Sequence, residues 1–285
     1  MALNAYICLN GEYLRAAEPC LFPHNRAFRY ADSFCENIHA FATEPQFLNY
    51  HIERLVDNMC LLSMQRPAYF SEDNINQLII RLLNKNRIFG GAGIRLTVYR
   101  NPDEGYIPGD NNVSFMLESY KLEHDKYELN EQGFCVDICS GFTKSSGPLA
   151  SVRNANSLLY LLAGISGRNN NLDAAILLNE TGRIVETINA NIFLASGNSI
   201  FTPGIHQGCI PGIMRRVITG LAGEAGFRIN DQSSLTPAAL EDAEEVFLTN
   251  AIDGIRWVGS YKQRRYYKKT AKLLTAKLNE LAFKS

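Results

Sequence analysis

Residues 177–201, LLNETGRIVETINANIFLASGNSIF, decide how the chain is read. Apolar runs broken by turn residues predict short strands over 174–179, 183–187, 191–195 and 199–202. Glu180-Thr181-Gly182 and Ser196-Gly197-Asn198 supply turns. Side chains alternate along a strand, so Ile184 and Glu186 share a face. Glu186 is the odd member, a carboxylate between Val185 and Thr187 in an apolar sheet. It either faces water at a strand edge, as most glutamates do, or is aimed at a buried cationic nitrogen.

Just downstream, GCIPGIMRR (208–216) leads from a Gly/Pro-rich loop into the helical pattern Val217, Ile218, Leu221, Ala222. Unpaired backbone N–H groups and the positive end of the helix dipole near Gly212–Met214 would suit an anion. Taken together, GRIVETINANIF, Thr202-Pro203 and GCIPGIMRR resemble the fold-type IV pyridoxal-phosphate proteins, the class IV aminotransferases. That family holds branched-chain and D-amino-acid aminotransferases and aminodeoxychorismate lyase. The resemblance implies an α+β chain of two domains with a cofactor cleft between them, a homodimer, pyridoxal 5'-phosphate as cofactor and a small amino or keto acid as substrate. It also implies that Glu186 pairs with the ring nitrogen. The backbone at Ile213 and Met214 would hold the phosphate, and Asn191, Asn250 and Ala251 would lie near the cofactor. A hydroxyl residue stands at the place of Ala251 in the family's aminotransferases, so Asn250-Ala251 looks more like the lyase branch.

The rest of the chain fits the same resemblance. Asn10-Gly11 between two short apolar runs (4–9 and 12–14) reads as a hairpin turn. Tyr30-Ala31-Asp32-Ser33 stands where the family has an aromatic-Gly-Asp-Gly segment. Both glycines are replaced, so a positive φ there would cost energy. Tyr30 is implied to lie near the substrate. His51–Leu55 opens a helix with Ile52, Leu55, Met59 and Leu62 on one face, and Ser71 caps another. Arg54 is either an exposed helix arginine or, as the resemblance implies, the grip on the phosphate. Arg95, on a strand over 94–99, matches a family arginine suited to a substrate carboxylate. The Gly/Pro/Asp-rich stretch 101–112 reads as a binding loop. The polar run 119–126 reads as a linker, giving domains 1–118 and 127–285.

In the second domain the reading predicts a strand over 133–140, a loop over 141–149, and a helix from Ala150 to about Gly167. A basic amphipathic helix is expected over 261–284. The Schiff-base lysine of the family falls near the start of the 150–167 helix. Arg153, 33 residues before Glu186 (186 − 153), occupies that place, with Asn156 beside it as in lyase-like members. A guanidinium stays protonated, with a pKa above about 12, and is a poor nucleophile and base. The family's ring-contacting tyrosine is also missing, with Leu158 near its place. Lys144, nine residues upstream (153 − 144), is the alternative amine. Turnover is therefore in question, and the cofactor is expected to be non-covalent or lost. The alternative is a degenerate member that binds an anionic or phosphorylated small molecule.

Composition excludes several other classes. A net charge of −1 gives no electrostatic footprint for nucleic acid. No apolar run approaches a membrane span. Seven scattered cysteines without a CxxC suggest free thiols in the cytoplasm rather than disulfides or a metal site.

Overall fold

A computed structural model describes residues 5–18 and 21–283. The chain divides into two compact units: Met1–Lys126 with Arg153–Asn156, and Tyr127–Val152 with Ser157–Ser285.

The first unit carries β1 (Tyr6–Leu9), β2 (Glu12–Arg15), α1 (Arg26–Tyr30), β3 (Ser33–Phe41), β4 (Glu44–Pro45), α2 (Leu48–Leu61), α3 (Glu72–Asn86), β5 (Ala92–Arg100) and β6 (Val113–Lys121). The strands form an antiparallel sheet in the order β2-β1-β6-β5-β3-β4. The hairpin closes at Asn10 and Gly11 with φ of 49° and 96°, the left-handed pair that an Asn-Gly turn supplies at low cost. Its first residue as read from sequence, Asn4, lies outside the described residues. Ser71 caps α3, its hydroxyl accepting from the Asn74 N–H at 3.3 Å, and Ile75, Leu78, Ile79 and Leu82 are buried as the periodicity requires. Ala31 takes φ 54° where the family carries glycine, while Ser33 is already extended in β3. β6 runs on to Lys121, so the expected linker begins inside a strand. Arg26 ties down the 101–112 loop through the Gly105 and Tyr106 carbonyls at 3.0 and 2.9 Å.

The second unit carries β7 (Phe134–Lys144), α4 (Leu158–Asn169), β8 (Ala174–Asn179), β9 (Ile184–Thr187), β10 (Asn191–Ser196), β11 (Ser199–Pro203), α5 (Ile213–Glu224), β12 (Arg228–Ser233), α6 (Ala238–Asp242), β13 (Glu245–Asn250), β14 (Gly254–Tyr261), β15 (Arg264–Arg265) and α7 (Lys269–Ala282). The mixed sheet runs β12-β11-β10-β13-β14-β7-β8-β9, with β15 on β14. Its apolar core includes Ile176, Ile184, Ile192, Leu194, Val246, Leu248 and Val258.

Three expectations need correction. β7 does not stop at Ser140; Phe142 and Thr143 suit a strand, and pairing resumes at Thr143↔Leu178 and Lys144↔Asn179 after an irregularity. The helix expected from Ala150 begins at Leu158, after a 3₁₀ turn over Pro148–Ser151. Residues 153–156 are extended because they pair with β3: Cys35 N–H donates to the Arg153 carbonyl at 3.1 Å and Ala155 N–H to the Ser33 carbonyl at 2.9 Å. The last helix starts at Lys269, because Tyr261 is still in β14, paired with Val136.

Candidate functional site

Glu186 sits on β9 opposite Leu177 of β8, and its carboxylate is buried. Such a charge costs several kcal/mol unless it is paired and hydrogen-bonded. Three donors meet it. The Lys144 ammonium and the Tyr160 hydroxyl, the latter at 2.8 Å, both reach Oε1. The Ile210 backbone N–H reaches Oε2 at 2.9 Å. Lys144 Nζ also stands 5.5 Å from the centre of the Tyr160 ring. The sheet edge, α4 and the loop before α5 thus converge on one carboxylate.

That convergence is fixed locally. Lys144 ends β7 rather than lying in a loop, and it is buried. The following residue but one is fastened by Glu180, which accepts from the Ser146 N–H and, at 2.7 Å, from its hydroxyl. Gly208, at φ 100°, packs against the same segment; a Cβ there would come within 2.8 Å of the Ser145 carbonyl oxygen. Asn191, buried on β10, donates to the Ile210 carbonyl at 2.8 Å. Its Oδ1 lies where a Cβ on Gly212 would have to go, at 2.0 Å.

Gly212 is the N-cap of α5, with no side-chain cap and no acid in the first turn. The Ile213 and Met214 N–H groups are among those with no partner inside the helix, and the dipole adds positive potential. Both residues are buried. Arg215 donates Nη2 to the carbonyls of Pro203 and Asp231, at 3.1 and 2.7 Å. Thr249 stands opposite Asn191 across β13 and β10, and its buried hydroxyl has no hydrogen-bond partner among the described residues. Burial, then the charge of Glu186, pushes the Cys209 thiol up to about 11, so it is no thiolate nucleophile near neutrality.

The other candidate residues have separate settings. Asn250 organises a turn, its Oδ1 accepting from the Ile252 and Asp253 N–H groups at 3.0 and 2.8 Å. The Ala251 carbonyl accepts from the Tyr127 hydroxyl at 3.4 Å. In the first unit, Arg54 donates Nε and Nη2 to the buried Glu36 carboxylate at 2.8 and 2.5 Å, and His51 Nδ1 lies 2.6 Å from the same group. Burial pushes the Glu36 carboxyl upward, but Arg54 and then His51 outweigh it and hold it at about 2. Burial lowers His51. Arg95 is exposed on β5. Tyr30 ends α1, edge-on to Tyr106 with ring centres 5.3 Å apart. Arg153 belongs to the first unit, on the extended segment paired with β3.

Sequence reasoning missed Tyr160, Glu36 and Thr249. Tyr160 lies two residues beyond Leu158, where the tyrosine was sought, so a shift of half a helical turn would have found it. Glu36 lies in the segment read for its glycines alone. Thr249 adjoins Asn250-Ala251 but carries no signal of its own.

Residues 33–261 match the family model for Amino-transferase class IV. The chain is 26% identical over 249 residues to the aminodeoxychorismate lyase of Bacillus subtilis (strain 168), covering 86% of this chain and 83% of that one. It is 26% identical over 273 residues to the branched-chain-amino-acid aminotransferase of Escherichia coli (strain K12), covering 88% and 86%. The branched-chain aminotransferase from Thermobaculum terrenum, solved in its PLP-form, superposes with a TM-score of 0.85 at 20% identity, over 99% of this chain and 95% of that one. The α+β architecture with its two sheets is therefore the fold-type IV fold, and the chain belongs to the class IV amino-transferase family.

Proposed function

We propose that the chain binds pyridoxal 5'-phosphate in its second unit and acts on an amino or keto acid, as a transaminase or as a lyase of the aminodeoxychorismate type. The observation that carries this is the buried Glu186 carboxylate beside the Lys144 amine, flanked by the loop that opens α5. The donor set fits the cofactor. An acid is present for a ring nitrogen, its oxygens now meeting Lys144, Tyr160 and the Ile210 N–H; the α5 amides are uncapped for a phosphate, and the Thr249 hydroxyl remains unspent. Bound there, the cofactor supplies an electron sink for chemistry at the Cα of an amino acid.

The chain's own residues divide the remaining work. The Glu186 carboxylate would favour the cationic form of a ring nitrogen, since opposite charges stabilise each other. The Ile213 and Met214 amides would hold the phosphate, and Asn191 holds the loop before them through the Ile210 carbonyl. Arg54 is proposed to add positive charge for the phosphate, and Arg95 and Tyr30 to meet the substrate, its carboxylate going to Arg95. Residue 153 does not supply the amine, because a guanidinium keeps its proton. That substitution favours a second reading, in which the site holds an anionic or phosphorylated molecule without turnover. We further propose a cytoplasmic homodimer, on the family resemblance and the scattered free thiols.

The test is titration of purified chain with pyridoxal phosphate, followed by absorbance and equilibrium dialysis, in wild type and Glu186→Gln. The expected result is saturable binding, weakened about tenfold or more by the substitution, the cost of one lost charge-assisted contact. Equal affinity in the two proteins refutes the role of Glu186. No binding in either removes the cofactor and leaves the second reading.

A further inference from the structure

We propose that Lys144 is a resident counter-ion of Glu186: it fills the place of a cationic ring nitrogen, so the site takes a phosphorylated ring without positive charge at least as readily as a pyridinium. This rests on the site proposed above, with Glu186 at the ring end and the α5 amides at the phosphate end, and it names a ligand class for the second reading.

Lys144 is the one lysine among the described residues that is buried. Its ammonium shares Oε1 of Glu186 with the Tyr160 hydroxyl, while the Ile210 N–H takes Oε2. Ammonium and carboxylate cancel, so the pair offers no net charge for a ligand to answer. Alone, Glu186 would select a ring cation; paired, it has that preference satisfied from within the chain. A pyridinium then has two courses. It displaces Lys144, exchanging one ion pair for another and stranding a buried ammonium. Or it lies beside the ammonium and meets like charge. A neutral ring does neither, and leaves all three contacts on Glu186 in place.

The lysine is held against displacement on several sides. Its backbone ends β7, in register with the buried Asn179 of β8. Ser146 beyond it is fastened to Glu180, and Gly208 packs on the Ser145 carbonyl. The Tyr160 ring centre lies 5.5 Å from Nζ, close enough for the ring face to attract a cation. The phosphate end uses none of these groups. Gly212, the N-cap of α5, follows Ile210 by two residues, and the Ile213 and Met214 amides lie beyond it. A phosphate can thus be held with the Lys144–Glu186 pair intact.

The experiment compares two matched probes on the full chain by calorimetry, benzyl phosphate and pyridin-3-ylmethyl phosphate. They differ by one ring nitrogen, which stands to the phosphate arm as it does in pyridoxal phosphate. The wild-type chain is expected to favour the pyridyl probe by no more than about threefold, less than one charge-assisted contact is worth. Lys144→Met bares the carboxylate and is expected to favour the pyridyl probe by about tenfold or more. Lys144→Arg keeps a cation there and is expected to match the wild type. A wild-type preference for the pyridyl probe beyond the threefold margin overturns the proposal by itself, whether or not the variants fold. So does a folded Lys144→Met chain that binds the two probes alike. Either result leaves the site standing. Absence of binding of both probes removes the site, and the proposal with it.

Discussion

Lys144→Met isolates what the buried ion pair contributes. The two side chains are 7% and 4% exposed, so solvent screening is slight. Removing the ammonium leaves the Glu186 carboxylate buried with only the Tyr160 hydroxyl and the Ile210 N–H. Breaking one side of a buried pair costs about 3–5 kcal/mol, mostly the penalty on the charge left behind. Glu186→Gln strands the ammonium instead and should cost a similar amount. The double variant removes both charges, so its loss should fall short of the sum by about 2 kcal/mol or more, the coupling expected of directly paired residues. Urea unfolding followed by tryptophan fluorescence is the assay. The chain has a single tryptophan, and Trp257 lies on β14 of the same unit, so the signal reports the unit that holds the pair. With a slope of about 1–3 kcal/mol per molar urea, a 3 kcal/mol loss moves the midpoint by about 1 M or more. Single variants each losing under about 1 kcal/mol, with an additive double variant, would show that the pair is not formed in solution. The placement of Lys144 would then fall with it.

Other substitutions probe the supports of the site. Gly212→Ala forces a Cβ to within 2.0 Å of Asn191 Oδ1; the strain should cost about 1–3 kcal/mol and weaken phosphate binding at α5, as read by calorimetry with inorganic phosphate. Tyr160→Phe leaves the carboxylate one donor short and should lower the urea midpoint by the equivalent of about 1–3 kcal/mol. Acid should loosen the first unit through Glu36, whose folded value of about 2 lies below the ordinary 4.5. The stabilisation is complete above pH 4.5 and is lost as pH falls toward about 2. It amounts to about 3 kcal/mol at about 1.4 kcal/mol per pH unit. Glu36→Gln should flatten that part of the stability–pH profile, measured by circular dichroism during urea unfolding at each pH.

Most strands were legible because their signals are local. Apolar runs end at residues that tolerate a positive φ, as at Asn10, Gly11, Gly182 and Gly197. Capping and periodicity likewise placed the start of α3 just after Ser71 and picked out its buried face. The failures are non-local. Nothing in SVRNANS forbids a helix, and the extended form of 153–156 is dictated by β3, more than a hundred residues earlier in the chain. The start of α7 was misplaced because Tyr261 still belongs to a strand. The apolar residues of α4 gave a helix but not a buried face: Leu158 and Leu161 are about 60% exposed, which hydrophobicity alone does not anticipate.

The site was harder to read for a related reason. Counting back from Glu186 assumes that sequence distance maps onto position at the end of the sheet. In β7 it does not. Between Ile138 and Thr143 the strand advances five residues while its partner β8 advances only two, from Ile176 to Leu178. Three extra residues are absorbed in a bulge, a device that bends a strand and re-aims the side chains beyond it. Without them the residue opposite Asn179 would be Gly141 (144 − 3), which has no side chain to offer. With them Lys144 arrives there, and its amine meets Glu186 from 42 residues away in sequence. Tyr160 and Ile210, 26 and 24 residues from Glu186, complete the same carboxylate from a helix and a loop. The register shift in β7, and not the spacing along the chain, decides which side chain meets the buried acid.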